Sequence, residues 1–212
     1  LFSKFCPGPI TFVLKLKKKS KISKNVTNRK NTLAVRFPSH KVTKTLLKNL
    51  DFPLAAPSAN ISTKVSAVSI EDVKEEFGNK IKYILNGGRS KFGLESTIVD
   101  LCEKPKIIRL GAIEIKKISK TLNLELKYNN KQKLVNPGQS KLHYSPGLPI
   151  RINVNKPRSN EAYILIKKRK LSQKNYFYLS KSKNLKEAGK NLYKVLRDIK
   201  LSLIHISEPT RR

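Results

Sequence analysis

The feature that most constrains this chain is its rhythm of short apolar runs, each cut off by turn residues. None approaches the roughly 20 residues that span a bilayer, so no membrane association is expected. Ile10–Leu14, Thr32–Phe37, Ile81–Leu85, Thr97–Leu101 and Lys106–Arg109 read as strands. Val42–Leu50 has helical spacing, with Leu46, Leu47 and Leu50 on one face. Ser69 followed by Asp72 resembles a capping box that opens a helix ending at Gly78. Phe52–Ala56 reads as a compact buried run that stops at Pro57-Ser58-Ala59-Asn60. Several strand connections are too short for crossovers, so the expected class is α/β with a mixed sheet.

From Tyr128 to Pro149 the pattern dissolves into Asn, Lys, Gln, Pro and Gly, the composition of a linker. Ile150–Val154, Ala162–Ile166 and Tyr176–Leu179 then read as strands and Leu185–Ile199 as a helix. The expected division is a first domain over 1–127, a linker over 128–149 and a partial, small α/β domain over 150–200. Leu201–Arg212 resembles translated sequencing-adapter read-through and is expected to be a non-native tail. The chain has no Met and begins at Leu1, which reads as a protein lacking its N-terminal part.

The charge admits a plain explanation. The chain carries 46 Lys+Arg against 14 Asp+Glu, a formal net charge of +32. Lysine dominates that surplus, whereas nucleic-acid readers lean on arginine for bidentate contacts. A compositional habit is therefore favoured over a binding groove, although any such surface attracts polyanions. Lys17, Lys18, Lys19, Lys21 and Lys24 crowd one loop, read as solvated ahead of an RNA contact. Cys6 and Cys102 cannot build a disulfide framework, and a reducing, cytoplasmic setting is expected.

Three segments are unusual for a purely structural domain. Pro57-Ser58-Ala59-Asn60 sets polar side chains directly after an apolar run, where ligands gather in open α/β sheets. Asn86-Gly87-Gly88-Arg89 through Gly93-Leu94-Glu95-Ser96-Thr97 supplies glycines, hydroxyls and an arginine suited to an anion. Arg109 ends an apolar strand. Each alone suits turns, hairpins or solvation; together they suggest a phosphate and carboxylate pocket. The three histidines have no metal-ligand spacing, so no metal site is expected. Ser58 or Ser96 with His143 makes no nucleophile elbow, and no Walker-type loop is present.

Taken in order, these segments carry a resemblance. Cys6-Pro7-Gly8-Pro9-Ile10-Thr11, Leu33 to His40, Ala55 to Asn60, Gly93 to Asp100 and Arg109-Leu110-Gly111 closely resemble the YrdC-like family of L-threonylcarbamoyladenylate synthases. Pro137-Gly138 with His143-Tyr144-Ser145-Pro146 resembles the linker of the long form, which carries an extra C-terminal domain. The resemblance implies a YrdC-like twisted mixed sheet with helices, then a linker and an incomplete Rossmann-like α/β domain. It implies a cytoplasmic nucleotidyltransferase of tRNA modification that uses L-threonine, bicarbonate and ATP. Pyrophosphate and threonylcarbamoyl-AMP are the implied products, the latter passing to a threonylcarbamoyl-transferase machinery.

By motif position, the resemblance implies that Arg36 holds the threonine carboxylate, Ala56 lines that site and Ser96 hydrogen-bonds the substrate. Thr32, Ser58, Ser66 and Arg109 are implied ATP contacts, with Asn60 orienting the Ser58 turn. Lys141 of the linker is implied to close over the nucleotide, with His143 beside it. Mg2+ is expected to accompany ATP as substrate, with no tightly bound cofactor. Three positions depart from the family pattern: Cys6 replaces a usual Trp, Leu110 a usual Pro and Lys141 an aromatic. The family's threonine-binding and Lys-x-Arg motifs upstream have no counterpart, so the 212 residues alone are expected to be inactive. Two alternatives stand beside this reading: an RNA-binding module on the same fold without synthase activity, and a paralogue acting on another carboxylate.

Overall fold

The structure is a computed structural model that describes residues 1–128, 146–167 and 173–207, the last six of these by backbone alone. The chain divides into two compact units, each drawn from separate stretches. The first comprises residues 1–57, 85–87 and 95–139; the second comprises 58–84, 88–94 and 140–212. Lys141 and His143 lie outside the described residues, as does most of the expected linker.

The first unit holds a short helix α1 (Phe2–Phe5) and four strands: β1 (Ile10–Lys15), β2 (Thr32–Val35), β3 (Thr97–Asp100) and β4 (Lys106–Arg109). Their order is β2-β1-β3-β4. β1 runs antiparallel to β2 and parallel to β3, and β3 runs antiparallel to β4. The sheet is mixed, as short connections require. Along β1, Ile10 and Phe12 are buried while Thr11 and Val13 are only half so. The register sets Ile10 beside Thr97 and Phe12 beside Val99, and Val99 beside Ile107. One face of the sheet therefore carries Ile10, Phe12, Val99 and Ile107, which form the core with Ile118 and Leu126. Ile118 comes from helix α4 (Ile115–Leu122), which the sequence reading passed over and which ends at Asn123 in the left-handed conformation. Helix α2 (Lys41–Lys48) lies where the Leu46–Leu47 spacing predicts.

The second unit contains helix α3 (Ile70–Phe77), strands β5 (Tyr163–Lys167) and β6 (Tyr176–Ser180), and helix α5 (Leu185–Ser207). The capping box is present: Asp72 N–H donates to Ser69 Oγ at 3.3 Å, and Asp72 Oδ2 accepts from Ser69 N–H at 3.1 Å. Gly78 closes the helix at positive φ. β5 and β6 pair in parallel, with Tyr163 and Tyr176 edge to face. Val65, Val68 and Tyr193 are buried together with Leu192 and Leu196 packed against them.

Some expectations need correction. Phe52–Ala56, read as a buried run, is exposed throughout, and Ile81–Leu85 and Ile150–Val154, read as strands, are irregular. Pro53 and Pro149 each remove a backbone donor beside these runs, and none of the three finds a place in either sheet. Apolar content alone did not place them. Helix α5 also continues past Ile199 to Ser207, because no helix breaker intervenes before Pro209.

Candidate functional site

The register explains how the first unit gathers its polar side chains. Thr11 pairs with Ile98, and Ile98 pairs with Arg109. Extending the β1–β2 register by one residue sets Arg36 opposite Thr11. These positions lie on the face opposite the Ile10–Phe12–Val99 core. Arg109 reaches that face through an irregularity. The register shifts between Ile98 and Val99, so Val99 faces Ile107 while Ile98 faces Arg109, leaving Ile108 as an extra residue. In a regular ladder Arg109 would face Thr97 instead. The bulge re-aims the arginine, a recurrent use of such irregularities.

Arg109 is then held tightly. Its Nε and Nη2 donate to the Ser96 carbonyl at 3.1 and 2.9 Å, and Nη2 donates to Ser96 Oγ at 3.0 Å. Glu95 Oε2 lies 3.7 Å from Arg109 Nη2. Ser96 is 4% exposed and its hydroxyl also shares a 2.7 Å hydrogen bond with Thr11. The serine expected to meet substrate thus has its hydroxyl engaged with Arg109 and Thr11. Gly111 presses on the backbone of Glu95, Ser96 and Thr97, leaving no room for a Cβ. Ala112 N–H donates to Glu95 O, and Thr97 exchanges two hydrogen bonds with the Ile113 backbone.

Arg36 differs. It is exposed as a residue, and its one hydrogen bond among the described residues is a long one, 3.4 Å from Nε to Gly8 O. Burial of the guanidinium end lowers its pKa, Glu95 opposes that shift and Arg109 adds to it. Arg36, Glu95 and Arg109 therefore sense one another, and their formal charges sum to a single positive charge. Thr32 opens β2 opposite Lys15 and is half-buried, and Ala56 is exposed on the loop after α2.

Ser58, Asn60 and Ser66 lie in the second unit. Asn60 makes several hydrogen bonds within their turn. Its N–H donates to Ser58 O at 3.0 Å, and its side-chain amide donates to Ile61 O and Lys64 O at 3.0 and 3.1 Å. Ser66 Oγ donates to Asn60 Oδ1 at 3.4 Å, and Ser58 remains exposed. Two of the glycines are closely packed: Gly93, at positive φ, abuts the Lys190 backbone, and Gly87 lies against the His40 ring, with its carbonyl hydrogen-bonded with His40 Nε2 at 3.1 Å. Gly88 has positive φ and open space around it. Sequence reasoning missed the parts played by Thr11, Glu95 and Gly111, although all three stand in the quoted motifs. It missed Arg197 altogether, which nothing in its neighbourhood of α5 marks as special.

Among the described residues there is no cluster of three or more His, Cys, Asp or Glu side chains placed for a metal, and no helix is long and apolar enough to cross a membrane. Cys6 and Cys102 are unpaired and half-buried.

The first unit is thus a mixed α/β sheet that carries Arg36 and the braced Arg109 on one face. The chain belongs to the Sua5–YciO–YrdC family, described as telomere recombination, which matches residues 1–111. The C-terminal domain of threonylcarbamoyl-AMP synthase matches residues 111–211. The chain is 36% identical over 165 residues to a threonylcarbamoyl-AMP synthase of Pyrococcus abyssi, covering 74% of this chain and 47% of that protein. It is 35% identical over 185 residues to the Schizosaccharomyces pombe protein of the same name, covering 79% and 44%. The chain thus spans about half the length of the curated relatives it matches. The crystal structure of P. abyssi Sua5 complexed with L-threonine superposes with a TM-score of 0.78 at 30% identity, over 94% of this chain and 64% of that one.

Proposed function

We propose that this chain is part of an L-threonylcarbamoyladenylate synthase, a cytoplasmic nucleotidyltransferase of tRNA modification. The observation that carries the reading is Arg36: a residue exposed overall and lightly bonded, beside a braced Arg109 and the Glu95 carboxylate. One net positive charge with planar N–H donors suits the carboxylate of an amino acid. The likeness to a relative solved with L-threonine supports threonine as that amino acid.

Arg36 would fix the threonine carboxylate, with Ala56 lining the site and Ser96 setting the local geometry. The threonine amine attacks the carbon of bicarbonate, a C–O bond breaks and water leaves, giving a carbamate. A carbamate oxygen then attacks the α-phosphorus of ATP, the bond to the β-phosphate oxygen breaks and pyrophosphate leaves. Two anions must meet in this step, so fixed positive charge and positioning matter more than a proton-transferring residue. Thr32, Ser58, Ser66 and Arg109 would contact ATP, with Lys141 and His143 of the 128–149 segment closing over it. Mg2+ would accompany ATP, carried chiefly by the phosphates. The product would pass to the machinery that transfers the threonylcarbamoyl group to tRNA.

The test is pyrophosphate release from ATP by a full-length protein carrying these residues, with L-threonine and bicarbonate withheld in turn. Release that requires both supports the reading. Release that ignores threonine, or none from a folded protein, overturns it.

A further inference from the structure

Arg197, on α5, is 7% exposed in a chain whose basic side chains are otherwise mostly at the surface. It belongs to the stripe Leu192, Tyr193, Leu196 and Arg197, the helical spacing that turns one face of α5 toward Val65 and Val68. A buried guanidinium must have its donors satisfied and its charge balanced. Here both are met by the segment that runs from Ser58 into α3. Nη2 donates to Val65 O at 2.8 Å and Nε donates to Ser66 O at 3.4 Å. Glu76 Oε2 lies at 3.4 Å, Glu75 Oε2 at 3.7 Å and Asp72 Oδ2 at 3.9 Å.

The same contacts lead back to the Ser58 turn. Glu76, with a side chain 4% exposed, also accepts from Ile61 N–H at 3.1 Å and pairs with Lys64 at 3.3 Å. Ser66, whose carbonyl Arg197 binds, donates its hydroxyl to Asn60, and Asn60 N–H holds the Ser58 carbonyl. Burial pushes the Glu76 carboxyl up, but the Ile61 amide, Lys64 and Arg197 outweigh it and hold the group below its ordinary range. The whole turn from Ser58 to Ser66 is tied to α5 through one arginine and one glutamate.

We infer that Arg197 is a positioning residue for ATP: from the C-terminal helix it sets the Ser58–Ser66 turn whose hydroxyls meet the nucleotide. This deepens the proposed function and rests on it. It also gives the C-terminal helix a concrete task, fixing a loop rather than touching substrate.

The experiment measures ATP and L-threonine saturation for Arg197→Lys and Asn60→Ala beside the unchanged full-length protein, with circular dichroism to confirm folding. Lysine keeps the charge but loses the fork that spans two carbonyls and the carboxylates. Each variant is expected to raise KM for ATP about tenfold, with KM for L-threonine within about twofold of the unchanged protein. The double variant should be no worse than the stronger single one, because both cut the same link. An unchanged KM for ATP in either folded variant overturns the inference, as does a parallel rise for both substrates. If neither variant folds, the link is a stability element and the inference also falls. An unchanged protein that makes no pyrophosphate from ATP defeats the proposed function itself, a result distinct from a variant effect.

Discussion

Arg109 reaches back across β3 and grips Ser96 by three hydrogen bonds, two to its carbonyl and one to its hydroxyl. This grip exists because the β-bulge at Ile98–Val99 turns Arg109 onto the face that also carries Thr11. Arg109→Ala leaves the buried Ser96 carbonyl and hydroxyl short of their donors, at a cost of about 2 kcal/mol in stability. Arg109→Lys should recover only part of that, since an ammonium cannot fork across both oxygens. Urea unfolding of the three proteins checks it, and an alanine variant as stable as the parent would contradict the bracing role.

Gly111 carries a sharper steric demand. Its missing side chain would collide with the backbone of Glu95, Ser96 and Thr97 rather than with a flexible group. Gly111→Ala is therefore expected to destabilise by about 3 kcal/mol, beyond what helix or loop propensity explains. Because the collision displaces the strand edge that holds Ser96, threonine affinity should fall with stability. Thermal unfolding with and without L-threonine measures both.

The sequence reading and the structure part company for identifiable reasons. The strands that form the first sheet were legible because Ile10, Phe12, Val99 and Ile107 fall at strand spacing and share one buried face. The start of α3 was legible because a capping box is a local device, set by Ser69 and Asp72 alone. Ile81–Leu85 and Ile150–Val154 failed because an apolar run becomes a strand only where a neighbouring strand offers its hydrogen bonds, and Phe52–Ala56 is not buried at all. The positions of Arg36 and Arg109 could be named from motif likeness, but their unequal roles could not. One is exposed and one is braced by a bulge, and a bulge depends on the pairing of two distant strands. Arg197 was invisible for the same reason: its carboxylate partners lie on α3, far away along the chain.

Glu76 gives a pH dependence of known sign. Its folded pKa lies below its ordinary value of 4.5, held down against burial by the Ile61 amide, Lys64 and Arg197. A depressed carboxyl contributes stability that is present in full above the unfolded value and lost as pH falls through the folded one. Glu76→Gln should thus be less stable than the parent at pH 7, and the gap should close as the pH drops below about 4.5. Denaturant titrations of both proteins across that range measure it. A gap that stays constant with pH would mean that the ionised form has no preferential role.

The central claim is that Arg36 holds the carboxylate of L-threonine, and calorimetric titration of the full-length protein tests it most directly. L-threonine should bind, threoninol, which lacks the carboxylate, should bind far more weakly, and Arg36→Ala should lose about 100-fold in threonine affinity. The variant should also no longer distinguish the two ligands. Threonine affinity unchanged in a folded Arg36→Ala protein, with threoninol still rejected, would contradict the account.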